Sequence, residues 1–515
     1  MNKFLKGTII LMAAGLITKL LGFINRIVIA RMIGAEGVGL FMMSYPTLIL
    51  VITITQMGLP VAISKAVAEA EAKGDRKKTK KVLAVSLAVT GTLSLIFTPT
   101  LMLISPLLSQ TLFTDPRTLY PLMAITPIIP IVAISSVIRG YFQGKQNMKP
   151  SAIAQVLEQV VRISLIAVLA KQFLPMGIEY AAAAAMGASV IGELASFIYL
   201  FIMFKAKKKF RVRKRFFQSV HDGKKTLGEL MHVALPTTGG RLIGSVTWFL
   251  EPIVVSQSLL LAGIAAGIAT KQYGLLTGYA LPLLSLPSFF THSLSTSLVP
   301  AISEANANRN QLMVEYRFQQ SLRFVLMAGC LSTVILYVFA EPLMKWFYGT
   351  SDGYEFIQFL APFFLFTYFQ GPFSAILQAL NLASAAMINS LIGSVLKILV
   401  IFVFASQPAF GINGVALGMA AGTVLVTLLH FATVLKKIQF TVYLGMYAKF
   451  IFATLLSGIS GILYMQYVLE QYHTLPFLVI GIVLVTFIYL IFIFCFKLLT
   501  RSDLIRLPLF NRILK

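Results

Sequence analysis

The sequence is poor in charge, in acidic residues and in cysteine. Only 12% of its 515 residues are charged, and 18 Asp and Glu face 43 Lys and Arg, whereas roughly 25% of the residues of an average soluble protein are charged. Cys330 and Cys495 are the only cysteines, and both lie in apolar runs. These deficits exclude a soluble enzyme, a disordered chain and a secreted scaffold held by disulfide bonds.

Apolar residues take the place of the missing charge. They make up 57% of the chain, and the mean hydropathy is +0.84. Because a bilayer core of about 30 Å needs about 20 apolar residues per helix, such runs predict an all-α integral membrane protein with about 14 transmembrane helices. The two longest spans, near 7–33 and 272–300, are expected to have interfacial or broken ends. The predicted spans lie near residues 7–33, 41–64, 82–108, 118–142, 151–173, 179–204, 229–261, 272–300, 320–343, 355–379, 384–406, 412–435, 446–469 and 475–499.

The basic residues are unevenly distributed between the loops. With the N-terminus placed in the cytoplasm, cytoplasmic segments hold 33 of the 43 Lys and Arg, including the segments Arg139–Lys149 and Lys205–Lys225, and outer loops hold 4. This is the positive-inside pattern of membrane proteins. It predicts a multi-pass protein of the cell membrane with both termini in the cytoplasm. No nucleic-acid partner is expected, since topology accounts for most of the basic surplus.

Two halves of the sequence resemble each other weakly. Because six predicted spans separate the matching segments, both halves have the same orientation in the membrane, with a pseudo-two-fold axis along the membrane normal. The prediction is two parallel six-helix lobes plus two extra C-terminal helices. The matching segments are Lys19–Gly22 with Arg241–Gly244, Pro60–Ser64 with Val299–Ser303, Gly177–Ala182 with Gly411–Ala416, and Arg162-Ile163 with Lys397-Ile398 at an offset of 235.

This repeat sets the predicted domain boundaries. They are an N-lobe at 1–204 (helices 1–6), a basic cytoplasmic linker at 205–228, a C-lobe at 229–440 (helices 7–12), helices 13 and 14 within 441–500, and a cytoplasmic C-terminal tail at 501–515.

Charged residues inside the spans are the candidate functional groups, because ionisable side chains in a membrane are costly and mark cavities or pathways. In the first span, Lys19 and Arg26 share a helical face with two glycines and lie about 10 Å apart along the helix axis. Equivalent helices of the two lobes aim further charges at one central space. The predicted cavity residues are Lys19, Arg26, Glu158, Arg162, Arg241, Glu251 and Lys397.

Structural roles remain open for several of these residues. Lys19 can extend to the cytoplasmic interface, and Arg31 is well placed to anchor its helix at the outer interface. Glu158 and Arg162 have the i, i+4 spacing of an ion pair that fixes helix packing. Glu193 fits helix packing and a cavity equally well.

Several motifs of enzymes and channels are missing from the sequence. No G-x-x-x-x-G-K-[ST] loop is present for ATP hydrolysis, and no H-E-x-x-H motif or Cys/His cluster for a metal. The aspartates are scattered singly, and no loop repeats like a selectivity filter. We therefore expect neither an enzyme nor a channel, with no catalytic residue, no metal site and no cofactor.

Two segments carry a resemblance to a known family. Residues 135–148 (SSVIRGYFQGKQNM) and 58–65 (GLPVAISK) resemble the polysaccharide-transport branch of the multidrug/oligosaccharidyl-lipid/polysaccharide (MOP) exporter superfamily. The resemblance covers essentially the whole chain. It implies a flippase of spore-forming bacteria that moves a lipid-linked cell-wall precursor of the undecaprenyl diphosphate type for spore cortex peptidoglycan. The last two helices would guide the polyprenyl tail among the membrane lipids.

The resemblance can be followed residue by residue in the first helix of the family's lipid II flippases. Their first helix typically carries Ser-Arg and then Gly-Phe-x-Arg followed by an acid. Here the matching positions read Thr18-Lys19, then Gly22-Phe23-Ile24-Asn25 and Arg26. Lys19 keeps the first charge, Asn25 replaces the second arginine and Arg26 replaces the acid, so the resemblance adds Asn25 to the candidate residues.

The predicted mechanism is alternating access, in which the lobes rock about a cationic cavity without ATP hydrolysis. The membrane potential or an ion gradient would supply the energy. Two alternatives remain. One is an ion-coupled exporter of small amphipathic cations, which a cationic cavity disfavours. The other is a non-transporting scaffold for sporulation cell-wall synthases, with Lys205–Lys225 as the docking surface.

Overall fold

The computed structural model describes residues 3–207, 221–438, 441, 443–469 and 474–498, with side chains from residue 13 onward. Every regular element in these ranges is helical, which confirms the all-α prediction. The predicted tail at 501–515 and most of the predicted linker at 205–228 lie outside the described residues.

The helices fall into two compact units. The first unit runs up to Tyr279 and includes Ala405–Ile412, and the second comprises Ala280–Phe404 and continues from Asn413. These units group helices by contact, whereas the predicted lobes group them by repeat, so the lobes at 1–204 and 229–440 stay a prediction.

The first unit contains nine α-helices, two short 3₁₀-helices (Pro116–Thr118 and Leu174–Met176), a π-helix at Leu108–Leu112 and a π-helical segment that begins at Leu275. The α-helices are α1 (Lys3–Gln56), α2 (Leu59–Ala72), α3 (Arg76–Leu107), α4 (Leu119–Ile125), α5 (Ile128–Gly144), α6 (Lys149–Phe173), α7 (Ile178–Lys207), α8 (Lys224–Leu261) and α9 (Ala266–Gly274).

The second unit contains the remaining described helices. They are α10 (Leu281–Ser285), α11 (Ser288–Ala307), α12 (Gln311–Val338), α13 (Ala340–Tyr348), α14 (Tyr354–Ala379), α15 (Ala383–Ala405), α16 (Ile412–Leu435), α17 (Leu444–Tyr464) and α18 (Leu475–Cys495).

The number of membrane spans agrees approximately with the predicted 14. Twelve described helices are long and apolar enough to cross a membrane, and a pair at 266–285 and 288–307, bent by 53°, makes a thirteenth. This bend lies inside the predicted span near 272–300, whereas interfacial or broken ends were expected there. The longest candidate, Ala13–Ala72, contains Gly34 with φ 68° and ψ −179°. The backbone leaves helical geometry there, between the first and second predicted spans.

The predicted span at 41–64 is broken as well, because α1 ends at Gln56 and α2 begins at Leu59. Gly58 between them has φ 64°, a left-handed conformation that glycine adopts without strain. A Cβ atom here would lie 2.7 Å from the carbonyl oxygen of Ala234 on α8. The close approach of α8 therefore requires glycine at this break.

Conformations at helix ends recur along the chain at an offset of 235 residues, the offset between Arg162 and Lys397 in the sequence. Two pairs of residues with left-handed φ and one pair of N-cap residues stand 235 positions apart. The caps each accept a hydrogen bond from the N–H group three residues on, at 2.9 and 3.0 Å, as helix N-caps commonly do. The repeat therefore extends from sequence into local backbone geometry over α3–α7 and α12–α16. The pairs are Gly74 with Arg309, Asp75 with Asn310, and Gln146 with Asn381.

Each unit has its own hydrophobic core. In the first unit, Tyr141 of α5 packs edge-on against Phe204 of α7, with ring centroids 5.1 Å apart. In the second unit, the rings of Phe373 and Phe431 stack at 5.6 Å. Helices α17 and α18 pack on α12 around buried Phe450 and other apolar residues. These cores hold α5 and α7 in the positions that the site requires.

Small residues let α1 approach α9 closely. A Cβ atom at Gly39 would overlap the carbonyl group of Thr270, and one at Gly274 would overlap the carbonyl oxygen of Ala35. Glycine interfaces of this kind allow backbone contact between membrane helices. The second half of α1 is thus fixed against α9 within the first unit.

Candidate functional site

The predicted cationic face of α1 lies open in the structure. The Lys19 side chain is exposed. A Cβ atom at Gly15 or at Gly22 would meet no atom within 4 Å among the described residues. No described helix therefore covers this face at its glycines.

One turn further on, α1 carries polar groups that are more enclosed. Asn25 is 8% exposed, and its Oδ1 atom has no hydrogen-bond partner among the described residues. The half-buried Arg26 places Nη1 2.6 Å from the Met42 sulfur. A buried acceptor without a donor costs about 1–3 kcal/mol, so the Asn25 carbonyl is available to a hydroxyl or amide of a ligand.

Helix α8 shows the same pattern as α1, its predicted repeat partner. Arg241 is exposed, and a Cβ atom at Gly244 would meet no described atom within 4 Å. Glu251 is buried on the same helix. Trp248 lies between them and packs edge-on against Tyr45 of α1, at 5.8 Å between ring centroids. The two helices are therefore joined by an aromatic contact between Trp248 and the part of α1 that follows Gly34.

Arg162 and Lys397 occupy equivalent places in the two units. A Cβ atom at Gly192 of α7 would lie 3.2 Å from the Arg162 Cβ, and one at Gly422 of α16 would lie 2.7 Å from the Lys397 Cβ. Each basic residue thus packs against a glycine of the following helix. The sequence alignment of Arg162 with Lys397 is reproduced in this packing.

Arg162 is one member of a charged cluster on three helices. Arg139 of α5 donates from Nη2 to Glu193 of α7 at 3.1 Å and to the hydroxyl of Ser196 at 3.0 Å. The same nitrogen lies 3.5 Å from Glu158 of α6, which also pairs with Arg162. Two positive and two negative charges balance within the protein interior. We call the four residues the buried ionic cluster: Arg139, Glu158, Arg162 and Glu193.

The cluster corrects one prediction and agrees with another. Arg139 is not a residue of a cytoplasmic loop, because it lies inside α5 and is held by carboxylates of α6 and α7. Glu158 and Arg162 do form the ion pair that their spacing suggested. The signal for Arg139 was its spacing from Ser135 and Ser136, which marks a polar face one turn earlier on the same helix.

A second charged network ties α1 to α9. The Arg117 guanidinium lies 2.7 Å from Glu36 of α1 and makes two hydrogen bonds to Asp115, at 3.0 and 2.9 Å. Thr270 of α9 donates to Asp115 at 2.8 Å. Burial favours the neutral carboxyl, but the donors Arg117 and Thr270 outweigh it and lower the pKa of Asp115 below its usual value.

The lowered pKa of Asp115 predicts a pH dependence of stability. A carboxylate with a depressed folded-state pKa stabilises the fold above the unfolded pKa of about 3.9, and that stabilisation is lost as pH falls through the folded pKa. Asp115→Asn should lower the free energy of unfolding at neutral pH by about 1.5–3 kcal/mol. Thermal unfolding of purified protein should then show a smaller loss on acidification for Asp115→Asn than for wild type. Equal losses in the two proteins would contradict this account.

A family model described as "Polysaccharide biosynthesis protein" matches residues 4–306, more than half of the chain. The chain belongs to this family. A second model, MatE, matches residues 277–403. The two matches overlap at 277–306, within the bent helix pair.

Relatives of this member of the polysaccharide biosynthesis family align with it over nearly its full length. "Stage V sporulation protein B" of Bacillus subtilis (strain 168) is 56% identical over 511 residues, 99% of each chain. "Lipid II flippase MurJ" of the same organism is 26% identical, over 90% of this chain and 88% of its own. The solved structure "Lipid II flippase MurJ, inward closed conformation" has a TM-score of 0.73 at 16% identity, covering 97% of this chain and 100% of that chain.

The likeness to stage V sporulation protein B and the family match agree with the resemblance to polysaccharide-transport proteins found in the sequence. Where the names of these relatives state an activity, it is that of a flippase. Among the described residues, no group of three or more His, Cys, Asp or Glu side chains is placed to hold a metal ion.

Proposed function

We propose that the protein is a flippase for a lipid-linked cell-wall precursor of the undecaprenyl diphosphate type, serving spore cortex peptidoglycan. It would work in the cytoplasmic membrane by alternating access, without ATP hydrolysis and with both termini in the cytoplasm. The family, the apolar helices and the flippase-like fold support the coarser statement that it is a membrane transporter.

The observation that carries the proposal is the pair of open cationic faces on α1 and α8. Each presents a basic residue, Lys19 or Arg241, beside a glycine with free space around it. Lysine and arginine form charge-assisted hydrogen bonds with phosphate oxygens, and partial removal of water strengthens them. A diphosphate headgroup is therefore the cargo that these faces suit, whereas an amphipathic cation would be repelled.

The candidate residues take different parts in this proposal. Lys19, Arg26 and Arg241 would contact the diphosphate, and the free carbonyl of Asn25 would accept a hydrogen bond from the sugar. Arg162 is engaged by Glu158, so we assign it a supporting rather than a contacting part. Glu251, on the same helix as Arg241, would offset part of the positive charge of that face.

Helices α17 and α18 would guide the polyprenyl tail. They pack on α12 through one side only, and apolar side chains such as Ile451, Leu455 and Phe487 are at least 60% exposed on the other. Transfer of one negative charge outward through an inside-negative potential releases about 2.3 kcal/mol per 100 mV. A diphosphate carries more than one such charge, so the potential can set the direction of transport.

The deciding experiment reconstitutes the purified protein in liposomes with a fluorescent lipid-linked precursor. We expect it to make label in the inner leaflet accessible to a membrane-impermeant quencher, faster than in protein-free liposomes. Equal rates would contradict the flippase proposal. Neutralising the linker Lys205–Lys225 separates the scaffold alternative, because a scaffold would lose sporulation function while translocation in liposomes stays unchanged.

Substitution of Lys19 tests the nature of its contact with the headgroup. Lys19→Arg keeps the positive charge and should retain most of the translocation rate, whereas Lys19→Ala should lower it several-fold through loss of a charge-assisted hydrogen bond. The measurement is the liposome assay at matched protein content. If Lys19→Ala were as active as Lys19→Arg, Lys19 would serve as an interfacial anchor instead.

A further inference from the structure

The buried ionic cluster is a charged site that transport of an anionic headgroup does not itself require. Glu193 has a side chain only 5% exposed, and the other three side chains are between 13% and 22% exposed. Ionisable residues at this depth in a membrane protein mark ion pathways or proton relays by default. The cluster therefore needs an account beyond headgroup binding.

Two carboxylates in the cluster share one guanidinium nitrogen, although Glu158 is also paired with Arg162. Nη2 of Arg139 is shared between Glu158 at 3.5 Å, both oxygens of Glu193 at 3.1 and 3.2 Å, and Ser196 at 3.0 Å. One N–H₂ group cannot make four good hydrogen bonds at once. Protonation of one carboxyl would relieve this competition, because a neutral carboxyl can itself donate a hydrogen bond.

The cluster also contains polar atoms with unused hydrogen-bonding capacity. The Nε atoms of Arg139 and Arg162 are buried without a partner among the described residues. Buried polar atoms of this kind are commonly satisfied by internal water. Water at these atoms would give protons a path to the carboxylates.

The charges of the cluster favour a proton over a metal cation. Two guanidinium groups already neutralise the two carboxylates, so Na⁺ would enter without an excess of negative charge and would need several oxygen ligands. A proton needs a single carboxylate oxygen. It leaves the cluster with one extra positive charge, shared over two arginines.

Helices α1, α4, α5 and α6 pack against α7. Helices α5 and α6 contribute the other cluster members, and α4 carries no charged residue. From residue 13 onward, the charged residues of helix α1 are the basic Lys19, Arg26 and Arg31 and the acidic Glu36, which is paired with Arg117. The acidic partners available for protonation are thus Glu158 and Glu193.

We propose that the buried ionic cluster is a proton-binding site that couples translocation to the proton gradient. This rests on the proposed function of the protein as a flippase. A proton from the outer aqueous phase binds a carboxylate oxygen of Glu193 or Glu158, forming an O–H bond, and is later released to the cytoplasm. While it is bound, Arg139 loses one of its two anionic partners, and the attachment of α5 weakens, to α7 if Glu193 is protonated and to α6 if Glu158 is.

The test uses a paired variant that removes one charge of each sign. Glu193→Gln combined with Arg139→Gln keeps the cluster neutral, which avoids leaving one buried charge without a partner. Glu193→Gln alone is the single-charge comparison. Glu179→Gln, at the start of the same helix and outside the cluster, is the matched control.

The readouts are translocation in liposomes with and without an imposed pH gradient, at clamped membrane potential, and infrared difference spectra between acidic and alkaline pH. Wild type and Glu179→Gln should respond to the gradient and show the carbonyl band of a protonated buried carboxyl. The paired variant should translocate at a rate independent of the gradient and lack the band.

Other results would distinguish failure of the proton site from failure of the flippase proposal. A paired variant that keeps the gradient response, or a wild type that translocates without any response, would overturn the proton site and leave the flippase proposal standing. A cluster with a purely structural part would lower the thermal stability of the variants without changing the gradient response. If wild type moved no precursor at all, the flippase proposal and the coupling would both fail. The infrared band would then decide whether the cluster binds a proton.

Discussion

Arg26→Ala is expected to reduce translocation of a lipid-linked precursor by more than about tenfold, with the protein present in the membrane at its normal level. Arg26 is half-buried on the glycine-bearing face of α1. A guanidinium there can contact phosphate oxygens away from bulk water, where a charge-assisted hydrogen bond is strongest. A tenfold loss corresponds to about 1.4 kcal/mol, which is within the range of one such bond. The liposome assay measures it directly.

A matched control is available five residues further along the same helix. Arg31 is exposed and is predicted to anchor α1 at the outer interface, so Arg31→Ala should leave the rate within a factor of about two. Arg26→Lys keeps the charge but not the planar fork of donors, and its rate should fall between those of wild type and Arg26→Ala. A wild-type rate in Arg26→Ala would show that the cavity does not act through this cation.

The second large effect is expected at the contact between α1 and α9. A side chain at Gly274 would overlap the Ala35 carbonyl and approach the Gly39 nitrogen to 2.7 Å. Backbone atoms cannot move aside as a flexible side chain can, so Gly274→Val must separate the helices. We expect a loss of about 3 kcal/mol or more in the free energy of unfolding, at the upper end of overpacking effects.

Gly187→Val is the control for this substitution. Gly187 lies in α7, and a Cβ atom there would meet no described atom within 4 Å. Both variants place a β-branched residue in a helix, so only the helix contact distinguishes them. Thermal unfolding in detergent should show a clearly lower Tm for Gly274→Val than for Gly187→Val. Similar values would mean that α1 and α9 part without loss of stability.

The hydropathy of the sequence predicted most of the helices, because each must span the bilayer with apolar side chains. It separated the spans on either side of Gly34 but could not locate the break at Gly58, which lies inside the predicted span at 41–64. The break at Gly58 depends on the approach of α8, a contact between residues far apart in sequence. Backbone conformations imposed by distant neighbours leave only a weak trace in local composition.

Relations between candidate residues were predicted correctly where both residues lie on one helix. The spacing of Lys19 and Arg26 indicated their common face, and the i, i+4 spacing of Glu158 and Arg162 indicated their ion pair. Arg139 was missed because its partners lie on other helices, and a basic residue near a helix end is usually a topological signal. Its pairing with Glu193, 54 positions away, becomes visible only in three dimensions.

The matching helix ends at Gly74 and Arg309 bear on the history of the chain. Both residues adopt the same left-handed conformation, although arginine pays a steric penalty there that glycine avoids. The left-handed turn is thus present at Arg309 as well, although glycine suits this conformation better. If an ancestral segment was copied in tandem, its bends were inherited as a set, and side chains could then diverge in one copy while the other preserved the original chemistry.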